Sequence, residues 1–271
     1  MTFIKHSSLL FVSMLIFMFF VKAAGTVTKN LDQLKKQNAE NMKKKRIVFL
    51  ITKDPDNYYA DETIPSFAEM LKKEYGYDVI VLLASGGNGF YHYQDMEMVS
   101  KADLLIIFAR RIALPHEQMD IIKKYLGKGK PIIGIRTANH AFTVRDKIAE
   151  GFEDWPEFVD NILGCENRGY GPTEPGTDVS VVSEKINHPI VKDINPKQWH
   201  SDGNVYLVSP LHDKKADILL TGKVNGIIEP IAWTRTAGKS KVFYTSLGYP
   251  TDFKTPPFNT LFVNAIKWAL D

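Results

Sequence analysis

Pro131-Ile132-Ile133-Gly134-Ile135-Arg136-Thr137-Ala138-Asn139-His140-Ala141-Phe142 is the stretch on which the reading of the fold depends. Its first half is a short, β-branched apolar run set off by Gly127, Gly129 and Pro131. That composition suits a strand buried on both faces of a parallel sheet. Polarity changes abruptly at Arg136. Arg136 and Thr137 are expected on the tight turn where the strand ends, with Ala138 to Phe142 opening a helix whose free N–H groups face the same point. Ligands bind open α/β sheets at this carboxyl edge. An arginine set against a helix N-terminus is electrostatically unfavourable, so Arg136 should meet an anion, an oxygen-rich ligand or a carboxylate. A ligand site is one reading, and a structural ion pair with Asp252 or Glu62 is the other.

Outward from this strand the chain alternates. Apolar runs at Arg46 to Thr52, Asp78 to Leu83 and Leu104 to Ala109 read as strands, and Glu62 to Tyr75 and Pro115 to Leu126 carry helical spacing between them. Strand and helix in turn predict an α/β fold with a doubly wound, mostly parallel sheet in three layers, flavodoxin-like in outline. Right-handed crossovers place the loops that follow the strands on one edge, so Asp54 to Asp61, Ser85 to Tyr93, Arg110 to Ile112 and Arg136 to His140 should converge. Beyond Phe142, Asp154 to Leu163 reads as a short helix and Gly164 to Gly176 as a long connection whose Glu166 and Tyr170 suggest a functional loop. Asp178 to Val182, Asn204 to Val208 and Ala216 to Thr221 read as strands. Ile231 to Thr236 and Lys241 to Ser246 form a hairpin. A last helix runs from about Pro256 to Leu270, capped by Thr255.

The candidate site residues follow from that edge. Of Arg110 and Arg111, alternation along the strand should turn only one into the cleft. Thr137 shares the elbow with Arg136, and Tyr59 and Glu62 lie on the loop and helix start after the first strand. His140 is a general acid or base on one reading and a packed, backbone-bonded side chain on the other. Tyr249 can donate a hydrogen bond or stack on a ring, and Asp252 orients a partner or ends a turn. His200 sits in a polar loop with Trp199, which covers a ligand face or closes a core edge; His92 lies in a similar aromatic loop. Cys165 reads as a buried hydrophobe ahead of a nucleophile, since no histidine lies near it in sequence. Ser85-Gly86-Gly87-Asn88-Gly89 lacks the Lys-Ser/Thr ending of a phosphate loop. Histidines and acids are too dispersed to predict a metal site, and no cofactor is implied.

In a chain of 271 residues, 34 Lys and Arg stand against 31 Asp and Glu, so no basic face for nucleic acid is implied. The length suits one larger α/β domain. Met1 to Ala23 has the form of a secretory signal, with Lys5 and His6 ahead of an apolar core from Leu9 to Val21; an uncleaved membrane anchor is the alternative. Export to a periplasmic or extracellular space is therefore expected. Residues 24–45 read as a lysine-rich leader and 46–271 as the domain. The single cysteine cannot form an internal disulfide. The sequence leaves the oligomeric state open.

A resemblance adds to these readings. Pro-Ile-Ile-Gly-Ile-Arg, ending at Arg136, resembles the Pro-x-x-Gly-x-Cys elbow of class I glutamine amidotransferases, with arginine in place of the nucleophile. Where that family ends its triad with His-Pro-Glu, this chain has Gly248-Tyr249-Pro250-Thr251. The resemblance thus implies an amidotransferase-like fold without glutamine hydrolysis. The sequence is more similar to the ThuA-like, trehalose-utilisation family, over about Arg46 to Leu270. Ala109-Arg110-Arg111, Gly134-Ile135-Arg136-Thr137, and Trp233-Thr234-Arg235 with Tyr244-Thr245-Ser246-Leu247-Gly248 carry that similarity, and Tyr249 departs from the histidine typical of both families. What it implies is the handling of a small-molecule sugar, catalytically through Arg136 with His140 or His200, or by binding alone.

Overall fold

The computed structural model of the protein describes residues 44–195 and 199–271. The signal sequence and nearly all of the leader fall outside them. Residues 45–271 form one compact unit. Its strands are β1 (Arg46–Thr52), β2 (Asp78–Ser85), β3 (His92–Tyr93), β4 (Leu104–Phe108), β5 (Leu114–Pro115), β6 (Ile132–Ile135), β7 (Phe152–Glu153), β8 (Thr177–Val181), β9 (Trp199–Ser201), β10 (Asp217–Val224), β11 (Ile227–Ala237) and β12 (Ser240–Thr245). The helices are α1 (Ala60–Tyr75), the short α2 (Met98–Lys101), α3 (His116–Gly127) and α4 (Pro256–Leu270). Ten strands make one sheet in the order β3-β2-β1-β4-β6-β12-β11-β10-β8-β9. From β2 to β12 neighbouring strands run parallel; from β12 onward, and between β3 and β2, they are antiparallel.

The parallel half is built as its sequence requires. Alternate residues of β1 go to opposite faces: Ile47, Phe49 and Ile51 pack in one core with α1 and α4, and Val48 and Leu50 in another with α3. A strand covered on both sides has no room for a polar residue, which is why these runs are apolar throughout. The result is a three-layer α/β fold. α1 closes at Gly76, whose φ of 72° is the left-handed turn that glycine adopts without a Cβ penalty.

Four expectations need correction. Ala138 to Phe142 does not open an α-helix: a five-residue 3₁₀ turn (Arg136–His140) follows β6 and then stops. The carbonyls of Ala141 and Phe142 accept instead from the N–H groups of Ile112 and Trp155, and that of His140 is shared between Arg111 N–H and the i+3 N–H of Thr143, so the i+4 bonds of a continuing α-helix are not made. Asn204 to Val208 is not a strand of the sheet: its one bridge runs from Tyr206 to Tyr170, which lies in the loop before β8. Its backbone pairs with the 168–171 loop, while the Glu229 carboxylate takes the N–H groups of Val208 and Ser209 at 3.0 and 2.8 Å. The short helix expected over Asp154 to Leu163 is a π-helical turn at Val159–Leu163. Thr255 precedes α4, but its hydroxyl donates to the Asp252 carbonyl at 2.8 Å instead of capping the helix.

Candidate functional site

β6 delivers Arg136 to the carboxyl edge of the sheet in the left-handed region, at φ 46°. For a residue with a Cβ that backbone is strained, by about 1–2 kcal/mol. The turn is held by Tyr244, whose hydroxyl donates to the Arg136 carbonyl at 2.7 Å from the neighbouring β12. Thr137 beside it donates to Asn57 Oδ1 at 2.5 Å. The Asn57 amide nitrogen in turn reaches Thr52 O, Thr52 Oγ1 and Phe108 O at 3.2, 2.9 and 2.9 Å. One buried asparagine thereby ties the ends of β1, β4 and β6 together.

The Arg136 side chain does not enter solvent. It is 1% exposed. Nη1 donates to Ser246 O at 2.6 Å and Nη2 to Asn204 Oδ1 at 2.8 Å, while Nε has no acceptor. Three tyrosines surround the guanidinium, with Tyr58, Tyr206 and Tyr249 ring centres at 4.0, 5.1 and 5.5 Å. Gly203 is part of this packing, since a Cβ there would sit 2.9 Å from Nη1 and 3.0 Å from the Tyr249 Cβ. Burial works against the charge, but the Tyr206 and Tyr58 oxygens and Asp252 outweigh it and raise the pKa. Among the described residues no carboxylate is in ion-pair contact with Arg136. Asp252 acts from further away, its own pKa raised by burial while its Oδ2 accepts from Gly248 N and Tyr249 N at 2.8 and 2.9 Å.

Above this layer lies a cavity of ≈ 390 Å³ walled by Tyr58, Tyr59, Tyr170, Tyr206 and Tyr249, with Arg110, Thr137 and His140 also lining it. Arg110 is held by Asp54 and Asp56, each at 2.9 Å, which neutralise its charge. Arg111 turns the other way. Its φ of 50° directs it to an adjoining cavity, so both arginines face hollows, though different ones. His140 lies between the two cavities. Burial, followed by repulsion from Arg111, Arg110, Arg145 and Arg136, lowers its pKa to about 3. It is therefore a neutral imidazole at ordinary pH.

Of the sequence-derived candidates, the structure brings together Tyr59, Arg110, Thr137, His140, Tyr170 and Tyr249 around the smaller cavity, over Arg136 and Asp252. Arg136 itself does not line it: it is buried below, with Nη1 and Nη2 bonded there and Nε left without an acceptor. Glu62 is exposed on α1. His200 is on the outer side of β9, with Nδ1 2.8 Å from Asp178 Oδ1 and Nε2 2.9 Å from Pro175 O; the bond to Asp178 raises its pKa. Trp199 is buried in the core, 4% exposed, and has no face to offer a ligand. The loop Ser85 to Tyr93 packs against Ala113 and Lys147 instead of lining either cavity, with His92 bonded to Ser85. Cys165 is buried, which pushes its thiol up to about 12. Sequence reasoning missed Tyr58, Asn57 and Tyr206; only the density of aromatics and asparagine in the 53–61 loop hinted at the first two. Among the described residues no His, Cys, Asp or Glu cluster is placed to hold a metal, and no helix is long and apolar enough to cross a membrane.

The sequence profile described as trehalose utilisation, ThuA, matches residues 47–269. The chain belongs to the ThuA family. A solved ThuA-like protein from Bacteroides uniformis shares the fold with a TM-score of 0.61 at 18% sequence identity, over 83% of this chain and 91% of that one. A ThuA-like protein from Parabacteroides merdae gives 0.61 and 18%, over 84% and 90%. A cytoplasmic protein from Salmonella typhimurium gives 0.55 and 14%, over 83% and 99%. No curated protein sequence matches this ThuA-family chain.

Proposed function

We propose that this ThuA-family chain is an exported carbohydrate-handling protein, built on a class I glutamine amidotransferase-like domain, that takes a sugar into the cavity above Arg136. The tyrosine wall carries this reading. Tyr58, Tyr59, Tyr170 and Tyr249 have accessible surface to turn towards the C–H surfaces and oxygens of a sugar, with the fully buried Tyr206 packed behind them, while Arg110, already neutralised by Asp54 and Asp56, supplies dipole more than net charge. A volume of ≈ 390 Å³ is within the usual range for small-ligand sites. The positive φ of Arg136 at the end of β6 supports the amidotransferase-like assignment, because a nucleophile elbow places its residue on the same kind of sharp strand-to-turn bend. The apolar core from Leu9 to Val21 supports export.

Arg136 serves this site as the floor beneath the tyrosines. His140 lines the cavity as a neutral hydrogen-bonding group. Binding without turnover is the second reading, favoured by the weak basicity of His140, whose pKa of about 3 makes it a poor general base and leaves almost no imidazolium as general acid at neutral pH, and by His200 lying away from the cavity. Calorimetric titration with a glycan panel that includes trehalose, with mass spectrometry of the same mixtures, tests both. A sugar should bind, and Tyr249→Ala and Tyr59→Ala should each weaken it by about tenfold or more. New product masses would establish turnover. Affinity unchanged in both variants, or no sugar bound at all, would remove the proposal.

A further inference from the structure

The larger of the two cavities, ≈ 550 Å³, shares His140 and Tyr170 with the tyrosine-walled one and lies beside it across those two rings. Its charges are unevenly matched. Glu166 is held by Arg168 at 3.0 Å and Asp160 by His212 at 2.6 Å. Arg111 and Arg145 have no carboxylate partner among the described residues, although both line the cavity. Arg111 donates to the Thr143 carbonyl at 3.2 Å. Its backbone is kept in the left-handed region by Arg111 N–H and Ile112 N–H donating to the His140 and Ala141 carbonyls at 3.2 and 2.6 Å. Burial and then the nearby Arg145 lower the Arg111 pKa, as expected of a cation lacking a counter-charge.

Asn139 makes a separate, independent point. It is fully buried and lines the same cavity. Asn167 Nδ2, set as a donor by Gly169 N–H on its own Oδ1 at 2.9 Å, lies 3.4 Å from Asn139 Oδ1 and 3.0 Å from His140 Nδ1; with His140 in the tautomer protonated at Nδ1, that nitrogen donates to Asn139 Oδ1 at 2.5 Å. Asn139 Nδ2 is left with no partner. Buried donors are rarely left unpaired, so this one is available to an occupant of the cavity.

We infer that the larger cavity is an anion subsite and that the ligand is a sugar bearing a carboxylate or phosphate. The ring occupies the tyrosine-walled cavity, and the acidic group lies among Arg111, Arg145 and the Asn139 amide. The ring half of this assignment rests on the carbohydrate reading proposed above; the anion half rests on the arginine cavity itself.

Calorimetry on the full chain would compare trehalose, trehalose 6-phosphate, a uronic-acid disaccharide and inorganic phosphate, each at low and high salt. Arg145→Ala, at the exposed rim, leaves the fold intact, and Arg111→Gln is the second variant. At low salt at least one acidic sugar should bind about tenfold or more tighter than trehalose, with the phosphate and carboxylate arms showing which anion is preferred. The gap should shrink in both variants and in high salt. Equal affinity for neutral and acidic sugars, or a preference that survives both substitutions, overturns the inference. If trehalose binds and the anion adds nothing, the subsite fails while the carbohydrate reading stands. If no sugar binds but inorganic phosphate does, and Arg145→Ala abolishes it, the subsite stands and the carbohydrate reading fails. If nothing binds, both fail.

Discussion

Arg136 is held by geometry that a lysine cannot copy. One planar guanidinium reaches Ser246 O and Asn204 Oδ1 while lying 4.0 Å from the Tyr58 ring centre. Arg136→Lys should therefore destabilise the protein by about 2–4 kcal/mol, read as a shifted urea midpoint, because at least one buried acceptor loses its donor. His140 gives a pH signature. The unfolded chain takes up its proton near 6.5, whereas the folded one resists until about 3. Between those values the unfolded state binds more proton, so stability falls as pH drops through the window and is unaffected by this group above it. Urea midpoints measured from pH 7 down to pH 4 should fall more steeply in the wild type than in His140→Gln; parallel curves would refute this. The sequence revealed the position of Arg136, because an apolar strand turning polar at once marks a strand end. It did not reveal the aromatic packing around it, because Tyr58, Tyr206 and Tyr249 come from three distant segments that only the fold brings together.

At the scale of elements, Asn57 joins three strand ends through a single amide. Asn57→Ala should cost about 2–3 kcal/mol in chemical denaturation and weaken any ligand of the tyrosine-walled cavity, since the elbow residue Thr137 loses its acceptor. Gly134 in β6 is equally constrained. A Cβ there would meet Ala138 Cβ and a Tyr244 ring carbon at 3.1 Å each, both packed atoms with little room to retreat. Gly134→Ala should thus destabilise by about 1–3 kcal/mol in the same assay. The apolar strands and the amphipathic helices were legible because burial on two faces, or on one stripe, leaves a period in the sequence. Asn204 to Val208 was misread for a physical reason: its alternation is real, but Glu229 and the 168–171 loop take the backbone groups that a sheet neighbour would need. The turn after β6 was misread because distant N–H groups, invisible in local sequence, claim its carbonyls.

At the scale of the molecule, two apolar cores on opposite sides of one sheet are formed within residues 45–271. A chain beginning at Lys45 should fold by itself, with a cooperative thermal transition followed by circular dichroism; a featureless melt would show that the first 44 residues are required. The division of the sheet is also a division of labour, with the parallel strands supplying the elbow and the arginines, and the antiparallel half contributing Ser246, beyond β12, as the acceptor that anchors Arg136. The outermost strands, β3 and β9, are two and three residues long. β3 pairs only with Ala84 and Ser85, so among the described residues Asp78 to Leu83 of β2 have no strand on their outer side, and that rim is the place where a second molecule would add itself as an extra strand.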